Sequence, residues 1–250
     1  MQFASLGSGS KGNSSIIKSK NTTLLIDCGF SLRQMEIRLQ RLNINPETID
    51  AILITHEHSD HICGTTRLAN KYNIAVWASK GSSQKIALEQ INVINIHQDF
   101  TIKDCQITPV AVPHDTKEPC QFVITSGEFK LGILTDVGHI TSHIINCFNG
   151  CNGLMLETNY DEQLLQNGLY PEFLKARIRG NFGHLSNQQA GEFIKSIDIS
   201  RLQKITLMHI SQNNNSNKLA FETINNVIGN KISSPILADQ ETGFDWLEIN

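Results

Sequence analysis

The hydrophobic positions along the chain follow two periods. Short runs in which apolar residues are continuous or alternate predict strands, and longer stretches with apolar residues three and four apart predict helices. "SSIIKSKNTTLLIDCG" reads as two strands around a polar turn at Ser19–Thr22. "LRQMEIRLQRLNI" places Leu32, Met35, Leu39 and Leu42 at helical spacing. "AILIT" and "IAVWAS" predict buried strands, the second followed by a helix over Ser82–Glu89. "ITPVAVPH", "QFVITS" and "FKLGILTD" predict three more strands, the last two joined through Gly127. A short helix over Ser142–Phe148 precedes the strand "GLMLET", and two helices follow near Asp161–Gln166 and Pro171–Arg179. Ser186, with Gln189 three residues on, has the capping-box pattern and opens the helix "SNQQAGEFIKSI". After the strand "KITLMHI" come a helix over Asn217–Ile228 and short strands near Pro235–Leu237 and Trp246–Ile249. No linker, low-complexity block or repeat divides the chain, so one α/β domain spanning 1–250, two sheets covered by helices, is expected.

Composition changes this picture little. Hydrophobic residues make up 40% of the chain and charged residues 18%, with a net charge of -3. No global basic field marks a nucleic-acid binder, so an anionic partner must be held by local groups or by a metal. The first residues have no signal-peptide pattern, and no apolar run approaches the roughly 20 residues of a membrane helix. A cytoplasmic protein without a membrane partner is expected. The cysteines at 28, 63, 105, 120, 147 and 151 form no CxxC pair and read as reduced thiols.

The chemistry concentrates in "ITHEHSDHICG", residues 54–64. His56, His58, Asp60 and His61 begin where a buried strand ends. Imidazole nitrogen and carboxylate oxygen are good ligands for zinc and its first-row neighbours. Residues two apart in an extended segment point the same way, so His56 and His58 can grip one ion, and a turn can carry Asp60 and His61 towards a second. Further ligands must come from elsewhere. Four other strands each end in a suitable residue: Asp27, His114, Asp136 and His209.

"THEHSDH" together with these four outlying residues resembles the metallo-β-lactamase superfamily. The resemblance implies a four-layer αββα sandwich with two divalent metal ions at one edge, between the sheets. It implies that His56, His58 and His114 hold the first ion, that Asp60, His61 and His209 hold the second, and that Asp136 bridges both. Asp27 then braces the ligand loop from behind, because metal-bound imidazoles need orienting partners. Zn²⁺ is the first expectation for both ions, and the hard oxygen of Asp136 also suits Mn²⁺. Two such ions can share a water and lower its pKa, so that hydroxide is the expected nucleophile at neutral pH.

Within the superfamily, Asp rather than Cys at position 136 argues against lactam hydrolysis. Glu157 and His184 resemble the proton-handling pair of ribonuclease Z and related phosphodiesterases, which with Asp60 gives three expected catalytic residues. His184 is also expected to contact the scissile phosphate. The loop "LGSGSKGNSS" either cradles an anion, with Ser10 and Asn13 as phosphate contacts, or is simply a turn between strands. With "GHLSN" and "HISQNNN" it resembles the YycJ-like or WalJ-like branch, described as DNA exonucleases. Too few residues lie between His114 and Asp136 for the tRNA-gripping arm of many ribonuclease Z enzymes, and too few between Asp136 and His209 for the extra domain of the β-CASP nucleases. Lys175, Arg177 and Arg179, or Arg33, Arg38 and Arg41, either hold a phosphate backbone or form a solvated face. His139 and His143 are expected to be non-ligands.

The expectation is therefore a metal-dependent phosphodiesterase, a nuclease acting on DNA more than on RNA. The alternatives are a hydrolase of a small phosphodiester, thioester or lactone, an RNA-processing nuclease, an iron-dependent redox protein, or a metal-binding regulator without turnover.

Overall fold

The computed structural model describes residues 1–229 and 232–250. The amino-terminal half forms one seven-stranded sheet. Its strands are β1 (Gln2–Gly7), β2 (Ser14–Lys18), β3 (Thr23–Ile26), β4 (Ala51–Ile54), β5 (Ala75–Ser79) and β6 (Asn92–Ile94), joined by β14 (Phe244–Glu248) in the order β14-β1-β2-β3-β4-β5-β6. The second sheet holds β7 (Phe100–Ile102), β8 (Cys105–Ala111), β9 (Cys120–Ser126), β10 (Phe129–Leu134), β11 (Gly153–Glu157), β12 (Lys204–Met208) and β13 (Ile236–Leu237), in the order β13-β12-β11-β10-β9-β8-β7. Each sheet is antiparallel on one side and parallel on the other, with β3 and β10 at the two changeovers.

Side-chain alternation builds the layers. In β3, Leu24 and Ile26 face the opposite sheet, whereas Leu25 faces helices α1 (Leu32–Arg41) and α3 (Thr65–Tyr72). In β4, Ala51 and Leu53 point inward, and Ile52 and Ile54 point to the helices. The second sheet repeats the scheme: Met155 of β11 joins the inter-sheet core, while Leu154 and Leu156 pack against α5 (Ser142–Phe148), α8 (Asn187–Ser196) and α9 (Asn217–Ile228). Strands apolar on both faces read as continuous hydrophobic runs, which is why "AILI" and "LMLE" carry no polar alternation. The result is the expected αββα sandwich, with three apolar layers between four structural ones.

The pattern misplaced a few elements. The helix expected over Ser82–Glu89 is a single turn, α4 (Lys80–Ser83). The hydroxyl of Ser83 donates to the Lys80 carbonyl, and the next amides, of Lys85 and Ile86, bond three residues back. Serines that compete for the backbone in this way weaken a helix. β8 stops at Ala111 rather than reaching His114, because Pro113 has no N–H to continue the ladder. β1, β6, β7, α2 (Ser59–Ile62) and α3 were not read as elements.

Candidate active site

The site forms where strands of both sheets run out at the same edge. Asp27 follows β3, the loop 55–58 follows β4, His114 lies beyond β8, Asp136 beyond β10, and His209 directly follows β12. Three of these residues have left-handed backbone: Asp27 (φ 60°), Asp136 (φ 50°) and His209 (φ 53°). That region is disfavoured for residues with a Cβ, though Asp and His visit it more than most. Here it turns each strand end abruptly, and the surrounding core holds the strain.

Period-two alternation then sorts the histidine loop. His56 and His58 face one way, while Glu57 faces the other and accepts from the Lys117 amide at 2.9 Å. His56 Nδ1 is held by Thr55 Oγ1 (3.0 Å), and His114 Nδ1 donates to the Gly183 carbonyl (3.1 Å). Those bonds leave the Nε2 lone pairs of both rings free. They converge on His58 Nδ1, at 3.1 Å from His56 Nε2 and 3.3 Å from His114 Nε2. Ligands about 2.0–2.1 Å from a tetrahedral zinc sit about 3.3 Å apart, so these three nitrogens already have the spacing of one face of a coordination shell. Burial and the neighbouring imidazoles hold His56 well below its ordinary pKa, and burial also lowers His114. Neutral rings of this kind are ligands in waiting.

A second group adjoins the first. Asp27 accepts from the Thr55 amide (2.9 Å), the Thr55 hydroxyl (2.8 Å) and His61 Nδ1 (2.8 Å). His61 Nε2 is thereby aimed at Asp136 Oδ2, 3.4 Å away, with Asp60 Oδ2 at 3.6 Å. Burial disfavours the His61 cation, but the carboxylates of Asp136, Asp27 and Asp60 outweigh it and raise the pKa to about 9. Burial alone would raise Asp136, yet the imidazoles of His209 and His61 hold its carboxyl well below the usual range. Asp136 Oδ2 is buried without a hydrogen-bond partner, a costly condition that a cation relieves. Carboxylates that draw protons onto imidazoles this strongly draw a divalent cation for the same electrostatic reason. The donor set therefore fits metal ions, and His56, His61 and Asp136 form a triad that links the two groups.

The sequence-derived assignments land unevenly. His209 is at the site, but its Nδ1 faces Asp136 Oδ1 (3.0 Å) and Glu157 Oε1 (3.3 Å) rather than His61. Its carbonyl is held by Asn159 Nδ2 and its amide by Ser8 Oγ. Glu157 and His184 do meet: His184 Nδ1 lies 2.7 Å from Glu157 Oε1. Glu157 is completely buried, and Oε2 accepts from the amides of Val137 and Leu185, at 3.1 Å each. Burial raises its pKa, but His184 and His209 outweigh that, and the carboxyl stays ionised.

The glycine-rich loop turns out to be a brace rather than an open cradle. Its amides at Gly9, Gly12 and Asn13 bond to Asn13 Oδ1, the Gly9 carbonyl and the Asp60 carbonyl. The Asn13 side chain, expected to meet a phosphate, is buried and instead contacts Asp60 Oδ2 (3.3 Å) and His61 Nε2 (3.1 Å). Gly29 packs against this junction so closely that a Cβ there would run into the Asp60 carbonyl. Ser10 stays exposed at the edge of the site cavity.

The basic groups are mostly committed to the fold. Arg38 is buried over the Phe30 ring and donates to the Leu6 carbonyl (2.9 Å), and Arg41 pairs with Asp245. Lys175 is buried and ties the Gln166 carbonyl to Glu172. Arg177 is the one that reaches the site, where it donates to Asp115 Oδ2 at 2.6 Å. Asp115 itself had no motif of its own beyond its place after His114, yet it lies 3.6 Å from His58 Nε2 and 3.5 Å from His114 Nε2. His139 bonds the Asn181 carbonyl and His143 lies against Cys147, away from the candidate metal groups. All six cysteines are free thiols.

The two groups open into a cavity of about 350 Å³, lined on one side by His58, Asp60, Asp136, His184 and His209. The family model for the beta-lactamase superfamily domain matches residues 22–210, a span that contains every candidate ligand. The chain belongs to the metallo-β-lactamase superfamily. It is a metal-dependent hydrolase of that superfamily, with divalent metal ions as cofactors. Two superfamily members similar to it are the exodeoxyribonuclease WalJ of Streptococcus pneumoniae and the exodeoxyribonuclease YycJ of Bacillus anthracis. The first is 33% identical over 90% of this chain and 87% of its own length. The second is 30% identical over 92% and 90%. Among solved structures, the metallo-β-lactamase fold protein YhfI of Bacillus subtilis superposes with a TM-score of 0.76 over 99% of both chains at 17% identity, which shows the shared superfamily fold.

Proposed function

We propose that the protein is a phosphodiesterase with two metal ions that removes nucleotides from DNA ends in the cytoplasm, and that one domain, 1–250, carries the activity. In this reading His56, His58 and His114 hold one ion, Asp60, His61 and His209 the other, and Asp136 both, with Zn²⁺ the first choice and Mn²⁺ the second. The ions would supply an activated water and offset the charge that develops on the phosphate. The observation that carries the reading is the His184–Glu157 pair, 2.7 Å apart on the cavity wall beside Asp136. The ionised Glu157 holds Nδ1–H of His184, which leaves Nε2 as the atom that would give a proton to the departing oxygen. A positioned acid is needed where the leaving group is a sugar alkoxide. Asp27 and Asn13 orient His61 and Asp60, and Arg177 stands where a phosphate can exchange for Asp115. The relatives named exodeoxyribonucleases, similar over nine-tenths of the chain, favour DNA over RNA.

The cavity volume favours one second reading, because about 350 Å³ is at the small end of ligand pockets and fits a small phosphodiester. A single panel decides. The metal-loaded protein, with Zn²⁺ or Mn²⁺, is given 5′-phosphorylated single- and double-stranded DNA, RNA, bis-p-nitrophenyl phosphate, a glutathione thioester and nitrocefin. Release of mononucleotides from DNA at rates well above those on RNA is expected. Turnover of the thioester or nitrocefin alone removes the phosphodiesterase assignment.

A further inference from the structure

The wall of the cavity opposite the candidate ligands is built by α7 (Glu172–Arg179) and the segments on either side of it. Tyr170, Leu174, Arg177 and Ile178 line the cavity at helical spacing. The same stretch carries an unusual outer surface. Of the six large hydrophobic side chains exposed among the described residues, four fall in this region: Leu164, Leu169, Phe173 and Phe182. Leu169 is fully exposed, Phe173 76% and Phe182 59%. Leu169, Phe173 and Phe182 each adjoin the cavity lining in sequence. Phe173 precedes Leu174, Leu169 precedes Tyr170, and Phe182 precedes Gly183 and His184. Phe173 and Arg177 are four apart on α7 and therefore neighbours on its surface.

Exposed rings cost free energy in water, and these belong to none of the hydrophobic core clusters. Their placement beside a charged cavity is the arrangement that binds unpaired bases. Rings stack on bases of any sequence, and nearby guanidinium groups meet the backbone. Arg177 and Arg179 are exposed on this helix, and the acid Glu172 is tied to Lys175. A duplex keeps its base faces covered and offers chiefly phosphates, which would call for more free cations than this surface has.

We propose that α7 and its flanks form a stacking rim on which Phe173 and Phe182 hold the unpaired bases of a single-stranded nucleic acid, with Arg177 on its backbone, so that one end enters the cavity. The proposal rests on the phosphodiesterase reading for its substrate class, but its test does not depend on cleavage. A fluorescent, phosphorothioate-linked oligothymidylate and its duplex are titrated by anisotropy into the metal-loaded protein. The same titrations use Phe173→Ala, Phe182→Ala and the ring-preserving Phe173→Tyr. Tighter binding of the single strand is expected, with Kd raised about tenfold or more for each ring removed and restored by Phe173→Tyr. Equal Kd values for the unaltered protein and both alanine variants overturn the rim, whatever the substrate panel shows. Ring-dependent binding without turnover of any phosphodiester leaves the rim standing and removes the phosphodiesterase reading. Sedimentation supplies the remaining outcome: a dimer that Phe173→Ala dissociates, with oligonucleotide affinity unchanged, assigns the patch to a second copy of the chain and overturns the proposal.

Discussion

Glu157 shows how much a single residue can do at this edge. It is fully buried, yet it remains ionised because two amides and two imidazoles converge on it. Its partner His184 is partly exposed and lies at the cavity. In the proposed reading the pair separates roles: His184 would meet the substrate, and Glu157 would position it. His184→Ala should lower the chemical step by roughly 10²–10⁴-fold and leave the bound metal near normal, as measured by single-turnover kinetics and metal analysis. Full rate in His184→Ala on every phosphodiester would remove its assigned role. Glu157→Gln keeps the shape but offers an amide to His184 and His209. It should slow turnover and also displace the rate-against-pH profile of the remaining activity, which a purely packing role would leave in place. At this scale the sequence was informative about residue types and silent about partners. The H-x-H-x-D-H run announced itself by density, whereas Asp115 gave no separate signal and Arg177 stood out only as one of a basic group, because their meeting depends on α7 folding over the cavity.

At the scale of elements, the two sheets are fastened at both ends. The site closes one end. At the other, Asp104 lies between β7 and β8, where it accepts from Thr22 and Ser19 of the β2–β3 turn and from Ser126 at the end of β9. Burial raises the Asp104 pKa, but these hydrogen bonds outweigh it and lower the value from 3.8 to about 2. A carboxyl depressed in the folded state stabilises the fold fully above its unfolded pKa, and the contribution disappears as pH falls through the folded value. Urea unfolding followed from pH 5 to pH 2 should therefore show a loss of stability that is shallower in Asp104→Asn, and equal slopes would exclude the clamp. The polar turn at Ser19–Thr22 was legible as a turn from its composition. Its partner across the sandwich was not, because 82 residues separate Thr22 from Asp104.

For the whole molecule, the site is a cluster of imidazoles and carboxylates drawn from both halves of the sandwich. His56 and His61 come from one sheet, and Asp136, Glu157 and His209 from the other. Divalent ions held by these residues would bind the folded chain far better than the unfolded one, and so would lend stability by mass action. Treatment with a chelator should abolish hydrolysis and lower Tm, and re-addition of Zn²⁺ or Mn²⁺ should restore both. Unchanged activity after the metal is shown to be gone would end the metal-dependent account. Arg177→Ala should raise KM for oligonucleotides several-fold more than it lowers kcat, since the side chain sits at the mouth and outside the candidate ligand groups.

By itself the sequence determined the layered α/β fold and the chemical kind of the site. Both follow from local physics: apolar periodicity sets strands and helices, and ligand-type residues at strand ends have few other uses in such density. The tertiary structure alone decided which nitrogen of each imidazole is free, that Asn13 braces Asp60 and His61, that Lys175 and Arg38 serve packing, and that α7 lays exposed rings beside the cavity. Those outcomes depend on contacts between segments distant in the chain, where left-handed turns at Asp27, Asp136 and His209 aim side chains that no local pattern encodes.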